Sequence, residues 1–199
     1  MKLKPSGILF DLDGVLVDSF DAWLAALNDA LKIFNHKEIT KDEFIGKYWG
    51  HDLFDNLDKM NLTYEVGVAC NNFYKKHVDK IKIYPDTKDI LNQLNIYKKG
   101  VITNTPKDSA IKVLKQFDIL GYFEFVLTND DVEMSKPSPE IVIKSCELLK
   151  SIPSEIILIG DTKSDVEAGK AAGCKVIGVN VDADYTIKNI SELTRLLVF

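Results

Sequence analysis

Arginine is almost missing from this chain: Arg195 is the only one, so nearly all of its positive charge is carried by lysine. Cysteine is scarce as well. Cys70, Cys146 and Cys174 are an odd number, widely spaced, and no two form a C-x-x-C pair. That excludes a zinc ribbon or a disulfide framework, and it fits a reducing compartment where thiols act as small buried hydrophobes. His36 and His77 show no metal spacing and read as surface residues. Long apolar runs are absent, so no segment is expected to span a bilayer. The opening MKLKPSGILF carries lysines before an apolar run, but Asp11 and Asp13 interrupt it too soon for a signal peptide. A cytoplasmic location is the expectation. The net charge of −5 argues against the basic face that a non-specific nucleic-acid binder needs, so neither nucleic acid nor membrane is an expected partner. Nothing in the sequence fixes an oligomeric state.

What is present is an alternation of short apolar runs with amphipathic stretches. At 199 residues, 46% hydrophobic, the chain can bury a full α/β core and carry a smaller second domain. Gly7–Phe10, Gly100–Thr103, Phe123–Thr128, Glu155–Gly160 and Lys175–Val179 are short, apolar or β-branched, and bounded by turn residues, which predicts buried strands. Between them, Ile90, Leu91 and Leu94 share a helical face, as do Ile111, Leu114 and Phe117. Ser138-Pro139 signals a helix start, and Val142, Cys146 and Leu149 continue that helix. Thr162 can cap a helix that Gly173 ends. Such alternation predicts a doubly wound, Rossmann-like parallel sheet with helices on both faces.

One region breaks the pattern. Residues 19–83 contain no convincing strand, whereas Phe20, Trp23, Leu24, Leu27, Leu31 and Phe34 form a helical stripe and Val66–Tyr74 also reads as helix. The expected organisation is therefore a core of residues 1–18 and 84–199 with a helical cap of residues 19–83 inserted after the first strand. An insertion at that point would stand over the strand's C-terminal end, where open α/β sheets bind ligands.

Chemistry-bearing residues fall at those ends. Asp11 and Asp13 follow the first strand, and residues two apart in extended chain point the same way. Two such carboxylates repel unless a proton or cation intervenes, and a hard divalent ion such as magnesium suits oxygen ligands. A turn or helix cap is the plainer explanation of the pair. A calcium loop of the EF-hand type fails, because its sixth position would be Leu16 and its twelfth Ala22. Asp161 and Asp165 form a second acidic pair after the fourth predicted core strand, with Asp165 also suited to a helix start. Thr103 and Asn104 end the second predicted core strand and could donate to phosphate oxygens or cap a helix. Lys136, in SKPSPE, is a candidate phosphate contact or an ordinary surface lysine. Taken together, these residues would converge on one edge of one sheet.

That constellation resembles the haloacid dehalogenase superfamily, specifically its phosphatases with a helical cap, the phosphoglycolate phosphatases being the nearest resemblance. DLDGVLVDS, VITN, the lysine of SKPSPE and GDTKSDVEAGKAAGCKVIGV match its four motifs in order, and ADYTIKNISELTRLL is similar to its C-terminal end. The resemblance implies a magnesium-dependent phosphatase acting on a small phosphomonoester. Asp11 would attack phosphorus, and Asp13 would protonate the leaving oxygen and then activate water. Asp11, Asp161, the main-chain carbonyl of Asp13, and Asp165 as ligand or neighbour of a ligand would hold magnesium. Thr103 and Lys136, with Asn104, would hold the transferring phosphoryl group. Dehalogenases and phosphonatases of the superfamily lack an aspartate at the position of Asp13, so its presence favours phosphate esters. Lys47, Tyr48 and His51, in GKYWGHDLF, fall where relatives select substrate, although packing around Trp49 would explain that segment too.

Two rivals differ in kind. A sugar-phosphate mutase of the β-phosphoglucomutase type shares the opening motif and cap, but it must hold a second phosphate. Relatives of that type use a cap arginine, and Arg195 lies outside the expected cap. A receiver-like phospho-accepting module shares the acidic strand ends, Thr and Lys, yet is shorter and lacks the insertion. Replacing the expected nucleophile, Asp11→Asn, should abolish phosphate release while the circular dichroism spectrum stays native; full turnover in that variant would remove Asp11 from the chemistry.

Overall fold

The structure is a computed structural model that describes residues 2–51 and 53–198. The chain divides into two compact units, one of Met1–Val17 with Ile83–Phe199 and the other of Asp18–Lys82.

In the first unit the strands are β1 (Gly7–Phe10), β4 (Lys98–Thr103), β5 (Phe125–Thr128), β6 (Ile156–Gly160), β7 (Lys175–Val179) and β8 (Tyr185–Ile187). They form one sheet in the order β5-β4-β1-β6-β7-β8. Every pair in it is parallel. Its helices are α5 (Thr87–Gln93), α6 (Lys107–Gln116), α7 (Glu140–Leu149), α8 (Lys163–Ala172) and α9 (Leu193–Leu196). Register explains the burial. Leu9, Ile102, Leu127, Leu158 and Val176 share one face and pack on Ile141, Val142, Cys146 and Leu149 of α7 and on Val166 and Ala168 of α8. Ile8, Phe10, Val101, Ile157, Ile159 and Ile177 alternate to the other face and are equally buried. Both faces are covered, which is why these strands read as continuous apolar runs.

Two short strands mark where the chain passes from one unit to the other, β2 (Val17–Asp18) and β3 (Lys82–Ile83), and together they form a two-stranded sheet. Neither these nor β8 were expected from sequence. At two or three residues each, they are too short to carry a period.

The second unit is helical: α1 (Phe20–Ile33), α2 (Lys41–Lys47), α3 (Leu53–Lys59) and α4 (Tyr64–Tyr74). The buried face of α1 is Ala22, Ala26, Leu27, Ala30 and Leu31, rotated from the large-residue stripe, and Phe34 is exposed. Alanines let α1 and α4 approach closely, while buried Gly67 of α4 makes room for Phe54 and Leu57 of α3. The aromatic members of the stripe pack at its margins, Trp23 stacking on Tyr74 at 3.9 Å between ring centroids. His77 is partly buried, 2.7 Å from Asp29, and is no simple surface residue.

Helix ends follow local chemistry. Thr162 caps α8 through a reciprocal box with Asp165, and Gly173 closes the helix at φ 88°. Helix α7 begins one residue later than Ser138-Pro139 suggests. Pro139 occupies its cap position and the Ser138 hydroxyl accepts from the Glu140 N–H at 3.4 Å. The buried face of α6 is Ala110, Val113 and Leu114, with Ile111 only partly covered. All three cysteines are free and buried, and among the described residues no helix is long and apolar enough to cross a membrane.

Gly178 of β7 leaves no room for a side chain, since a Cβ there would lie 2.2 Å from the Val181 carbonyl oxygen. A backbone atom cannot swing aside as a side chain does, so Gly178→Ala should cost about 1–3 kcal/mol. The measurement is the urea midpoint, which should fall with its slope unchanged.

Candidate active site

The site grows from the centre of the sheet, where β1 lies between β4 and β6 and the strand order reverses. Asp11 follows β1 directly and is still in register, its N–H donating to the Ile159 carbonyl at 2.9 Å. The chain then folds into a tight turn. Leu12 O accepts from Leu16 N at 3.0 Å and Val17 N at 3.1 Å, while buried Leu12, Val15 and Leu16 anchor the loop. Gly14 makes the turn possible at φ +77°, and a Cβ on it would fall 2.0 Å from Asp161 Oδ2. Glycine is demanded twice there, by conformation and by the approach of a carboxylate.

Asp161 and Asp165 arrive from the end of β6. Gly160 admits the Asp165 side chain, whose Cβ would lie 2.3 Å from an added Cβ. Asp165 Oδ2 accepts from Thr162 N at 3.1 Å and from the Thr162 hydroxyl at 2.6 Å. Its other oxygen accepts from Lys136 Nζ at 2.6 Å. The cap that starts α8 thus also aims a carboxylate at the sheet edge.

Lys136 is buried, and its ammonium donates to Asp11 Oδ1 at 2.8 Å, to Asp165 Oδ1 and to the Ile102 carbonyl at 3.3 Å. Three donors meet three acceptors. Asn104 holds the backbone of that lysine: its Nδ2 donates to Lys136 O at 3.0 Å and its Oδ1 accepts from Lys136 N at 3.1 Å.

Asp13 has different surroundings. Its Oδ2 accepts from the Thr105 hydroxyl at 2.6 Å and from the Thr103 hydroxyl at 3.4 Å. Thr105 did not figure among the residues expected from sequence. Its signal was there, as a second threonine two residues after Thr103 at a strand end, but a lone Thr before Pro106 looks like ordinary turn chemistry.

Asp11, Asp161 and Asp165 each place a carboxylate oxygen within 4.8 Å of the others. Three carboxylates face one ammonium, so two negative charges are uncompensated. Burial raises the Asp11 carboxyl; Lys136 pulls it down, and Asp165 and Asp13 push it up again, to about 7. Asp161 is likewise raised well above the usual range, by burial first and then by Asp11 and Asp165. Burial opposes the charge on Lys136, but Asp11 and Asp165 outweigh it and hold the ammonium above its ordinary value. The lysine stays charged; what the cluster lacks is positive charge. Asp161 Oδ1 is buried with no hydrogen-bond partner. An all-oxygen donor set with two excess negative charges and one orphaned oxygen fits a hard divalent cation.

The first unit therefore brings together Asp11, Asp13, Thr103, Asn104, Lys136, Asp161 and Asp165. Lys47, Tyr48 and His51 lie in the second unit, at the end of α2 and in the turn beyond it. Lys47 is exposed and 4.0 Å from Glu43, the Tyr48 carbonyl accepts from Asn56 Nδ2 at 2.8 Å, and Trp49 packs on Phe20 and Phe44.

A six-stranded parallel sheet with acidic residues at the ends of two adjacent strands and a buried lysine between them defines a class of hydrolase. The chain belongs to the haloacid dehalogenase-like hydrolase family, whose family model matches residues 8–179. It is 32% identical to the phosphoglycolate phosphatase of Aquifex aeolicus, over 96% of this chain and 95% of that one. To the pyrophosphatase PpaX of Bacillus mycoides it is 27% identical, over 98% of both. A crystal structure of a HAD-superfamily hydrolase, subfamily IA, from Geobacter sulfurreducens superposes with a TM-score of 0.80 at 25% identity, covering 98% of this chain and 100% of that one. CbbY from Rhodobacter sphaeroides, in complex with phosphate, shares the fold at a TM-score of 0.85 and 17% identity, covering 96% and 97%.

Without a cation the fold prefers Asp11 protonated. Its carboxyl rises from 3.8 to about 7 on folding, so the proton-bound form lends stability that is complete below about pH 4 and lost as pH rises through about 7. In chelator, the melting temperature should fall between about pH 5 and about pH 8, and Asp11→Asn should flatten that fall. Parallel curves for the two proteins would mean that Asp11 is ionised throughout.

Proposed function

We propose that this chain is a magnesium-dependent phosphatase that hydrolyses a small phosphomonoester through a phosphorylated Asp11. The observation that carries this reading is the contrast between two carboxylates at the end of one strand. Asp11 is ion-paired to Lys136 inside the acidic cluster, whereas Asp13 is held by threonine hydroxyls. Two aspartates in such different surroundings suit a division of labour between nucleophile and proton carrier.

The reaction is two displacements at phosphorus. An Asp11 oxygen bonds to phosphorus as the bond to the leaving alcohol oxygen breaks, and protonated Asp13 gives that oxygen its proton. Water then attacks phosphorus, Asp13 takes the proton from it, and the bond from phosphorus to Asp11 breaks, releasing inorganic phosphate and restoring Asp11 as a carboxylate and Asp13 as its acid form. Lys136 pulls Asp11 toward its ionised form and fixes one of its oxygens. Thr103, at the end of β4, would turn its hydroxyl from Asp13 to the transferring group when substrate binds, and Asn104 serves that group indirectly by holding Lys136. Asp11, Asp161 and the main-chain carbonyl of Asp13 would hold magnesium. Asp165, with both oxygens already accepting from Lys136 and Thr162, acts as their neighbour. The cation supplies neutralisation of phosphate charge when bound.

The substrate is a small phosphomonoester of the phosphoglycolate or sugar-phosphate kind. The Aquifex aeolicus relative named phosphoglycolate phosphatase supports an ester, while the relatives named pyrophosphatase PpaX make inorganic pyrophosphate the competitor to test. Arg195, the only arginine, lies in α9 and 3.7 Å from Glu192, which speaks against a mutase that clamps a second phosphate with arginine. Lys47, Tyr48 and His51 remain the candidates for substrate selection. Free buried thiols are consistent with a cytoplasmic enzyme.

The test is phosphate release across small phosphomonoesters and pyrophosphate, with magnesium and with chelator. Release from at least one ester, lost in chelator and restored by magnesium, is expected. Release from pyrophosphate alone would overturn the ester assignment, and isomerisation dependent on an added bisphosphate would replace the phosphatase with a mutase.

A further inference from the structure

Thr105 lies outside the four motifs, yet its hydroxyl is 2.6 Å from Asp13 Oδ2 and the residue is 3% exposed. Its N–H donates to Thr103 Oγ1 at 3.1 Å, which turns the Thr103 hydroxyl hydrogen away from that N–H and toward the same Asp13 oxygen, 3.4 Å off. The backbone beneath Thr105 is firmly held. Pro106 O accepts from Ser109 N at 3.0 Å and Ala110 N at 2.9 Å as α6 begins, and Lys107 N donates to Asp130 Oδ2 at 2.8 Å. A short hydrogen bond from a buried hydroxyl on a fixed backbone restrains the terminal torsion of the carboxyl group.

We propose that Thr105 is a positioning residue for proton transfer, tethering Asp13 by Oδ2 so that its carboxyl group meets the leaving oxygen in one orientation. The proposal rests on the phosphatase reading, in which Asp13 carries the proton. While Thr105 donates to Oδ2, the proton of the acid form resides on Oδ1. Tautomer and direction are then fixed together, and the proton leaves Oδ1 for the alcohol oxygen as the bond from that oxygen to phosphorus breaks.

Leaving-group dependence separates this role from a purely structural one. Thr105→Val keeps the shape of the side chain and removes the donor; Thr105→Ser keeps the donor. An alkyl phosphomonoester needs its leaving oxygen protonated, whereas 4-nitrophenyl phosphate releases a stable phenolate. Thr105→Val should lower kcat for the alkyl ester at least about tenfold more than for the aryl ester, with KM changing far less than kcat, and Thr105→Ser should restore the wild-type ratio. Thermal melts establish that each variant is folded. An equal loss on both esters, no loss on either, or failure of serine to rescue would overturn the positioning role while leaving the phosphatase intact. A wild-type protein that hydrolyses neither ester with magnesium would instead overturn the phosphatase reading, and this inference with it.

Discussion

The buried ammonium of Lys136 is the interaction on which the rest of the site depends. One positive charge sits among three carboxylates, two of them buried, and its three donors bind the end of β1, the start of α8 and the end of β4 into one unit. Removing one partner of such a group leaves the others charged and desolvated, a cost of about 3–5 kcal/mol in buried pairs generally. The same contact bears on the proposed chemistry. Burial alone drives Asp11 toward the protonated form, and a protonated carboxyl cannot attack phosphorus. Lys136 opposes burial without cancelling it. The remaining deficit of positive charge is one that a divalent cation would meet, so under the proposed function the lysine and the metal share one electrostatic task.

Position in the sheet supplies the geometry. With β1 between β4 and β6, the residues that follow these three strands share one edge, and parallel direction puts all three C-terminal ends together. Glycine then makes close approach possible. Gly14 lets the turn after β1 press against the Asp161 carboxylate, and Gly160 lets the Asp165 side chain cross the end of β6. The cap of α8 has a double task, because Thr162 secures the helix start with the carboxylate that also receives Lys136.

The sequence made the central strands legible because both faces of the sheet are buried, so their residues form unbroken apolar runs. It made the acidic strand ends legible for the same reason, since charge directly after such a run stands out. Other features carried no local signal. The buried face of α1 extends past the large-residue stripe to Ala22, Ala26 and Ala30, because alanine permits close helix packing yet contributes little to a hydrophobic stripe. Strands β2, β3 and β8 are set by their partners and are too short for a pattern. Asn104 was visible at a strand end and Lys136 in the loop before α7, but the reciprocal bond between them is a product of the fold. Thr105 was hidden by its plainness, a turn-prone residue beside a proline whose partner lies 92 positions earlier.

Such separations bear on when the site comes into being during synthesis. Asp11 and Lys136 are 125 positions apart, and the lysine also needs Asp165, which emerges from the ribosome later still. A nascent chain that has made only β1, β4 and β5 contains Asp11 and Asp13 but neither Asp161 nor Asp165. The acidic centre closes only when β6 inserts beside β1 and α8 caps itself on Thr162. The acidic cluster is therefore completed late in synthesis, with the arrival of Asp161 and Asp165.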